Sequence, residues 1–227
     1  MPMKNIWYMA LALAVAGCSS TAWHETPREQ RMTDELEVLR DENPLLRSYI
    51  DARLKKDDSA TRQAVQAISP QEAERLLHLA AISGDLATVQ LLLKQRVNPN
   101  TKDDQGETPL YHACQNEHTE VVRTLLNGGA DPNSRDIDGE TALFDTCVLG
   151  NTEIAALLLS HGAQVNATDE ENETALFPAV QSGNKELITL LLKNGATIRT
   201  NVESLTPLDL TQDKSILDIL CQSPPTN

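Results

Sequence analysis

GETPLYHACQNEHTEVVRTLLNGGADPNSRDID occupies residues 106–138, and GETALFDTCVLGNTEIAALLLSHGAQVNATDEE comes directly after it at residues 139–171. Laid one over the other, the two lines share a Gly-Glu-Thr start, paired central leucines and a Gly-Ala-x-x-Asn end. The offset of 33 residues continues outward, so that Leu77, Leu110, Leu143 and Leu176 coincide, as do Leu92, Leu125, Leu158 and Leu191. Self-similarity at this period signals a repeat architecture. Within each line Thr108-Pro109 or its counterpart opens a first helix, proline filling a position whose N–H needs no partner. Gly84, Gly150 and Gly183 fall where that helix ends in the left-handed region. A second helix carries the leucine pair and is closed by Gly129-Ala130, Gly162-Ala163 and Gly195-Ala196. The next polar turn projects as a hairpin-like finger. Two such helices are too thin to bury their own apolar face, so neighbouring repeats must supply the core.

These lines resemble the ankyrin repeat in their G-x-T-P-L-H-x-A-A start, V-V-x-x-L-L centre and G-A-D-x-N end. The likeness runs from about Ser69 to Ile219 and implies an all-α ankyrin-repeat solenoid of stacked helix-turn-helix units with short fingers. The expected organisation is repeats at 70–105, 106–138, 139–171 and 172–204, then a C-terminal cap at 205–222 where the pattern loses one residue. Two departures stand out. Glu117 replaces a helix-ending glycine, which predicts a strained corner. Tyr111, Phe144 and Phe177 replace the family's histidine, and their equal spacing predicts an apolar ladder between repeats, a ligand-stacking surface being the alternative.

Composition limits the function classes. The chain has 227 residues, 33 acidic against 19 basic, a formal net charge of −14. Its basic residues are scattered, which argues against nucleic-acid binding. Aromatics make up 3%, so the core is built from Leu, Ile, Val and Ala.

The N-terminus reads as an address. Lys4 precedes an apolar run from Ile6 to Ala16, too short to span a membrane as a helix. Leu13-Ala14-Val15-Ala16-Gly17-Cys18 resembles a bacterial lipoprotein lipobox, which implies cleavage after residue 17, acylation of Cys18 and, with Ser19 next, an outer-membrane anchor facing the periplasm. Stable anchoring takes two or more acyl chains. Removing the leader takes Lys4 and no acid, so the mature chain keeps 33 acidic and 18 basic residues. Residues 18–32 read as a flexible tether. Residues 33–68 read as a helical N-terminal cap, in which Asn43-Pro44 starts one helix, Ser59 caps another, and Ser69-Pro70 with Glu72 has the spacing of a capping box for the next.

Nothing in the sequence has catalytic spacing. None of the five histidines stands in a metal-ligand or nucleophile pattern, no G-x-x-x-x-G-K, H-E-x-x-H or G-x-S-x-G element is present, and no cofactor is implied. Cys114 and Cys147, one repeat apart, read as packed thiols. The expectation is a non-enzyme that binds another protein.

The resemblance also implies where. In ankyrin proteins the fingers and the exposed end of the first helix grip partners. Here the fingers supply Lys102, Asp104, Gln105 and Glu107, then Arg135, Ile137, Asp138 and Glu140, then Thr168, Glu170, Glu171 and Glu173, and last Asn201, Glu203 and Ser204. Gln115, Asn116, Val148, Leu149, Gln181 and Ser182 are the helix-end positions. Val148 and Leu149, adjacent exposed positions taken as lying beside Ile137, would form an apolar centre in an acidic rim, so the expected partner is basic around an apolar protrusion. Membrane contact is expected through the lipid anchor alone, and the free protein is expected to be a monomer. A tethered, non-catalytic, strongly charged binder suits an immunity protein that inhibits an envelope-targeting toxin such as a phospholipase. The alternative is a non-inhibitory scaffold for envelope proteins.

Overall fold

The computed structural model describes residues 58–221. The lipobox with Cys18, the tether, the first part of the expected cap with Asn43-Pro44, and residues 222–227 lie outside the described residues. The chain divides into two compact units, Met1–Pro99 and Asn100–Asn227. The boundary falls inside the expected first repeat, separating its helices from its finger. That finger belongs to the second unit because it bonds to the next finger, Ile137 N–H donating to the Gln105 carbonyl at 3.0 Å.

In the first unit, α1 (Asp58–Ala67), α2 (Pro70–Ser83) and α3 (Leu86–Lys94) succeed one another. Ser59 lies inside α1 and is not its cap. Ser69 does cap α2: its Oγ accepts from the Glu72 N–H at 3.3 Å while Glu72 Oε2 accepts from the Ser69 N–H at 2.9 Å. Leu77 and Leu92 are fully buried.

The second unit is the helix-pair array that the repeat predicts. Its helices are α4 (Pro109–Gln115) with α5 (Thr119–Asn127), α6 (Ala142–Leu149) with α7 (Thr152–Ser160), and α8 (Leu176–Gln181) with α9 (Lys185–Lys193). A 3-10 turn at Pro207–Leu210 and α10 (Lys214–Cys221) complete it. Among the described residues there is no strand, only the isolated antiparallel bridges Arg135–Thr141 and Thr168–Thr174 at the finger bases. Leu110, Leu143 and Leu176, and Leu125, Leu158 and Leu191, are sealed from solvent. So are Tyr111, Phe144 and Phe177 to within 8%, which corrects the ligand-stacking alternative: buried rings offer no surface. Cys114 and Cys147 are buried and unpaired, and burial pushes the Cys114 thiol up to about 12.

One set of polar bonds holds repeats in register and a second shapes each finger. Asn100, Asn133 and Asn166 each donate from Nδ2 to a helix-ending glycine carbonyl of the next repeat, those of Gly129, Gly162 and Gly195, at 3.2, 3.1 and 2.8 Å. Each Oδ1 then accepts the N–H two residues further on, from Asp131, Gln164 and Thr197, at 2.7–2.8 Å. Inside each finger, Oδ1 of Asp103, Asp136, Asp169 or Asn201 accepts the N–H groups two and four residues on. These side chains build the turn. The last step is 32 residues rather than 33, the one-residue loss the C-terminal cap predicts.

The Glu117 corner is strained as expected. Its φ is 57°, alongside 75° at the equivalent Gly150. A non-glycine residue there costs roughly 1–2 kcal/mol, offset in part by Glu117 Oε1 accepting from Asn151 Nδ2 at 2.9 Å on the exposed surface. Gly150→Ala places a methyl 3.8 Å from the nearest side chain, so its whole cost is backbone strain. In urea unfolding, Gly150→Ala is expected to lose about 1 kcal/mol and Glu117→Gly to gain up to about 1 kcal/mol.

Candidate functional site

The fingers and the C-terminal ends of α4, α6 and α8 carry every residue of the expected binding face. Asp104, Gln105, Gln115, Asn116, Ile137, Asp138, Val148, Leu149, Glu170, Glu171, Gln181 and Ser182 are exposed. Ile137, Val148 and Leu149 are the large apolar side chains among them, at 58, 53 and 45% exposure. They do not form one patch. Thr141 caps the start of α6 at the finger base, whereas Val148 and Leu149 end that helix, and eight helical residues span about 12 Å. The face therefore presents two apolar points, a finger tip and a helix end. Asn116 and Ser182 also close their helices, Asn116 Nδ2 donating to the His112 carbonyl at 2.8 Å and Ser182 Oγ to that of Ala179 at 2.8 Å.

Glu107, Glu140 and Glu173 are different in kind. They are half-buried at the finger roots and already engaged: Glu107 Oε2 lies 3.4 Å from His112 Nδ1, Glu140 Oε2 accepts from Tyr111 Oη at 3.3 Å, and Glu173 Oε1 accepts from Asn201 Nδ2 at 2.7 Å. The two basic finger residues are also occupied, since Lys102 Nζ donates to the Arg135 carbonyl at 2.6 Å and Arg135 Nη1 to the carbonyls of Thr168 and Gly139.

Four residues of this face escape the sequence reading. Val202 is 65% exposed and is the fourth finger tip after Asp104, Ile137 and Glu170; the 32-residue last step hides it from a strict 33-residue alignment. Ile198 and Leu205 are exposed on either side of that finger. Asp145, on α6, belongs to no motif, although it stands in the register of His112.

Around Asp145 the electrostatics are unusual. Burial first, then the charges of Asp136, Asp145 and Asp169, push Glu140 up to about 7 against the Tyr111 hydrogen bond. Burial and then Asp136 push Asp145 up to about 6. Asp103 goes the other way: burial opposes its charge, but the His112 hydrogen bond and charge, with two backbone N–H groups, hold its carboxyl below the usual range.

A folded state whose carboxylates bind protons more tightly than the unfolded chain gains stability on acidification. The contribution of Glu140 and Asp145 is thus fully present below their ordinary values near 4 and lost as pH rises through about 6 to 7. Discounted for solvent screening it amounts to about 1 kcal/mol. Thermal unfolding between pH 5.5 and 8 is expected to show a melting temperature higher by roughly 2–4 °C at the acid end, and Glu140→Gln is expected to flatten more of that slope than Asp145→Asn does, because Glu140 titrates at the higher pH.

The family described as ankyrin repeats (three copies) matches the chain over residues 50–136, 77–169 and 129–202. Among curated proteins, mouse Rabankyrin-5 is 28% identical over 111 residues, an alignment covering 47% of this chain and 9% of that protein. The chain thus corresponds to a small part of that relative's length.

Proposed function

The chain belongs to the ankyrin-repeat family, whose repeats generally mediate protein–protein binding, and from that premise we propose that it is a lipid-anchored binding protein of the bacterial cell envelope. Cys18 is the acylated anchor, facing the periplasm from the outer membrane. The partner is an envelope-targeting toxin enzyme, such as a phospholipase, that this immunity protein binds and inhibits. The observation that carries the reading is the exposure of Ile137, Val148 and Leu149 on an array whose surrounding tips, Asp104, Asp138, Glu170 and Glu171, are acidic and exposed. Apolar points in an acidic field suit a basic surface with apolar protrusions. The acids speed encounter and the apolar contacts slow release. The acylated Cys18 and the tether of residues 18–32 keep such an inhibitor where an incoming enzyme would act.

Deleting the gene is expected to make cells sensitive to toxin-secreting siblings, with no growth defect in monoculture. An envelope defect without such sensitivity would instead indicate a scaffold. Restoring the gene as Val148→Asp/Leu149→Asp/Ile137→Asp, with circular dichroism unchanged, is expected to leave cells at least tenfold more sensitive than the wild-type gene does; full protection by that variant would remove this face from the proposal. Cys18→Ala is expected to abolish palmitate labelling and release the protein from the membrane pellet.

A further inference from the structure

The fourth finger departs from the other three in one direction. The Asn201 N–H donates to the Leu205 carbonyl at 2.9 Å and Asn201 Oδ1 accepts from the Leu205 N–H at 3.0 Å, as Asp136 does with Glu140. Leu205 therefore stands where Glu107, Glu140 and Glu173 stand in the earlier fingers, and Val202 takes the tip position of Asp104, Ile137 and Glu170. Acid has become aliphatic at the root, and the tip is aliphatic again two fingers after Ile137. Val202 and Ile137 are the two most exposed large apolar side chains among the described residues, and Ile198 and Leu205 add apolar surface to the fourth finger. Between the two tips stands the third finger with Glu170 and Glu171 exposed, while Asp138 is exposed next to Ile137. The row thus runs apolar, acidic, apolar. Neighbouring helical layers lie about 8–10 Å apart, which puts roughly 16–20 Å between the apolar tips.

A protein segment laid along this row is either an extended strand or a helix, and hydrogen bonding decides between them. Strand addition needs free donors and acceptors along an edge. From Ile137 to Glu140, from Glu170 to Glu173 and from Val202 to Leu205, every backbone N–H is already engaged. Each goes to the neighbouring tip, to Oδ1 of the finger's own Asp or Asn, or to that residue's carbonyl. A strand would find no donor, whereas a helix satisfies its own backbone and presents side chains alone. We propose that the finger row from Ile137 to Val202 binds one amphipathic helix of the protein partner, with two apolar side chains about 11–13 residues apart and Lys or Arg between them on the same face. The inference rests on the protein-binding reading above and adds the shape of the contact. Side chains about 11 residues apart fall within about 20° of each other around a helix, three turns along it. One apolar anchor meets Ile137, the other meets the fourth finger, and the basic pair meets Glu170 and Glu171. The fingers' own cations are committed elsewhere, since Lys102 Nζ and Arg135 Nη1 donate to backbone carbonyls and Arg199 Nε to Thr197 Oγ1.

The test uses the full-length protein in phosphatidylcholine nanodiscs, labelled at the Ile, Leu and Val methyls for NMR, with a synthetic helical peptide as probe. The peptide is alanine-based and carries two phenylalanines eleven residues apart with two lysines between them on the same face. Three controls keep its length. One exchanges a phenylalanine with a lysine so that the rings stand seven residues apart, one replaces both lysines by glutamates, and one places a proline at mid-peptide, which breaks the helix. The expected result is saturable movement of the Ile137 and Val202 methyl signals together, with binding about tenfold weaker for each control. Val202→Asp and Ile137→Asp, both at exposed tips, are each expected to weaken the parent peptide about tenfold. Equal binding by the proline or glutamate peptide, loss of the spacing preference, absence of saturation, or unchanged binding by Val202→Asp each overturn the proposal. So does movement of the same signals when the protein alone is concentrated, which assigns the row to a second copy, or when phosphatidylglycerol vesicles are added without peptide, which assigns it to lipid. The titration needs neither toxin nor cells. A deletion strain that stays resistant to its siblings would remove the immunity reading and leave the helix footprint standing, and a failed titration beside lost protection would do the reverse.

Discussion

The side-chain amides of Asn100, Asn133 and Asn166 each reach across to the next repeat with a donor and an acceptor at once. Each hydrogen bond contributes only about 0.5–1.5 kcal/mol net, less than the apolar layers of Leu110, Leu143 and Leu176 supply by burial. Their effect lies in geometry. A leucine layer tolerates sliding, whereas a two-pronged amide closes at one offset between neighbours. With that offset set, the finger-tip N–H of Ile137, Glu170 and Val202 meets the previous tip's carbonyl on Gln105, Asp138 and Glu171. The fingers become a bonded row, and the side chains they expose are held at fixed spacing.

A row built this way repeats its environments, and a substitution at one register position can be read against its neighbours. Glu117 against Gly150 isolates backbone strain, because both corners have positive φ and one carries a side chain. Thr174 against Thr108 and Thr141 isolates a cap. The first two hydroxyls accept from the Tyr111 and Phe144 N–H groups, while Thr174 Oγ1 is buried without a partner. There the Phe177 N–H turns to the Thr174 carbonyl instead, and the helix begins at Leu176, one residue after the position that Pro109 takes in the first repeat. His112, Asp145 and Pro178 isolate a charge.

The same logic decides how much was legible in the sequence. Helix starts at Thr108 and Thr141, left-handed ends at Gly150 and Gly183, and the buried leucines are dictated by local chemistry and by a period two lines long, and they stand where they were expected. Exposure of the finger tips was legible too, because it depends on position in the repeat. Pairwise relations were not. That Ile137 and Val148 lie a helix length apart requires knowing which way α6 runs from its finger, and that Glu107, Glu140 and Glu173 are engaged at the finger roots requires knowing which side chain the next repeat places opposite. A one-dimensional period carries neither. Asp145 escapes for a related reason: in a chain with 33 acids, one more carboxylate is distinguished only by the histidine that its neighbour holds at the same register.

The acidity divides into two populations with different physics. Asp103, Asp136 and Asp169 are committed to building turns, and Glu107, Glu140 and Glu173 sit half-buried between fingers, where low polarizability makes every unmatched charge costly. Asp104, Asp138, Glu170, Glu171 and Glu203 stand exposed at the tips. There salt screens them over about 8–10 Å, close to the distance between neighbouring helical layers of about 8–10 Å. Tip charges can therefore attract a basic surface from a distance but discriminate poorly within it, since one exposed acid resembles the next. Discrimination has to come from elsewhere: the two exposed apolar points at Ile137 and Val148-Leu149, where contact would drive water out, and the half-buried finger roots. All three roots have a carboxylate answered from within the chain, Glu107 by His112, Glu140 by Tyr111 and Glu173 by Asn201. The middle one differs by adding a further acid, Asp145, at the register where its neighbour holds a histidine.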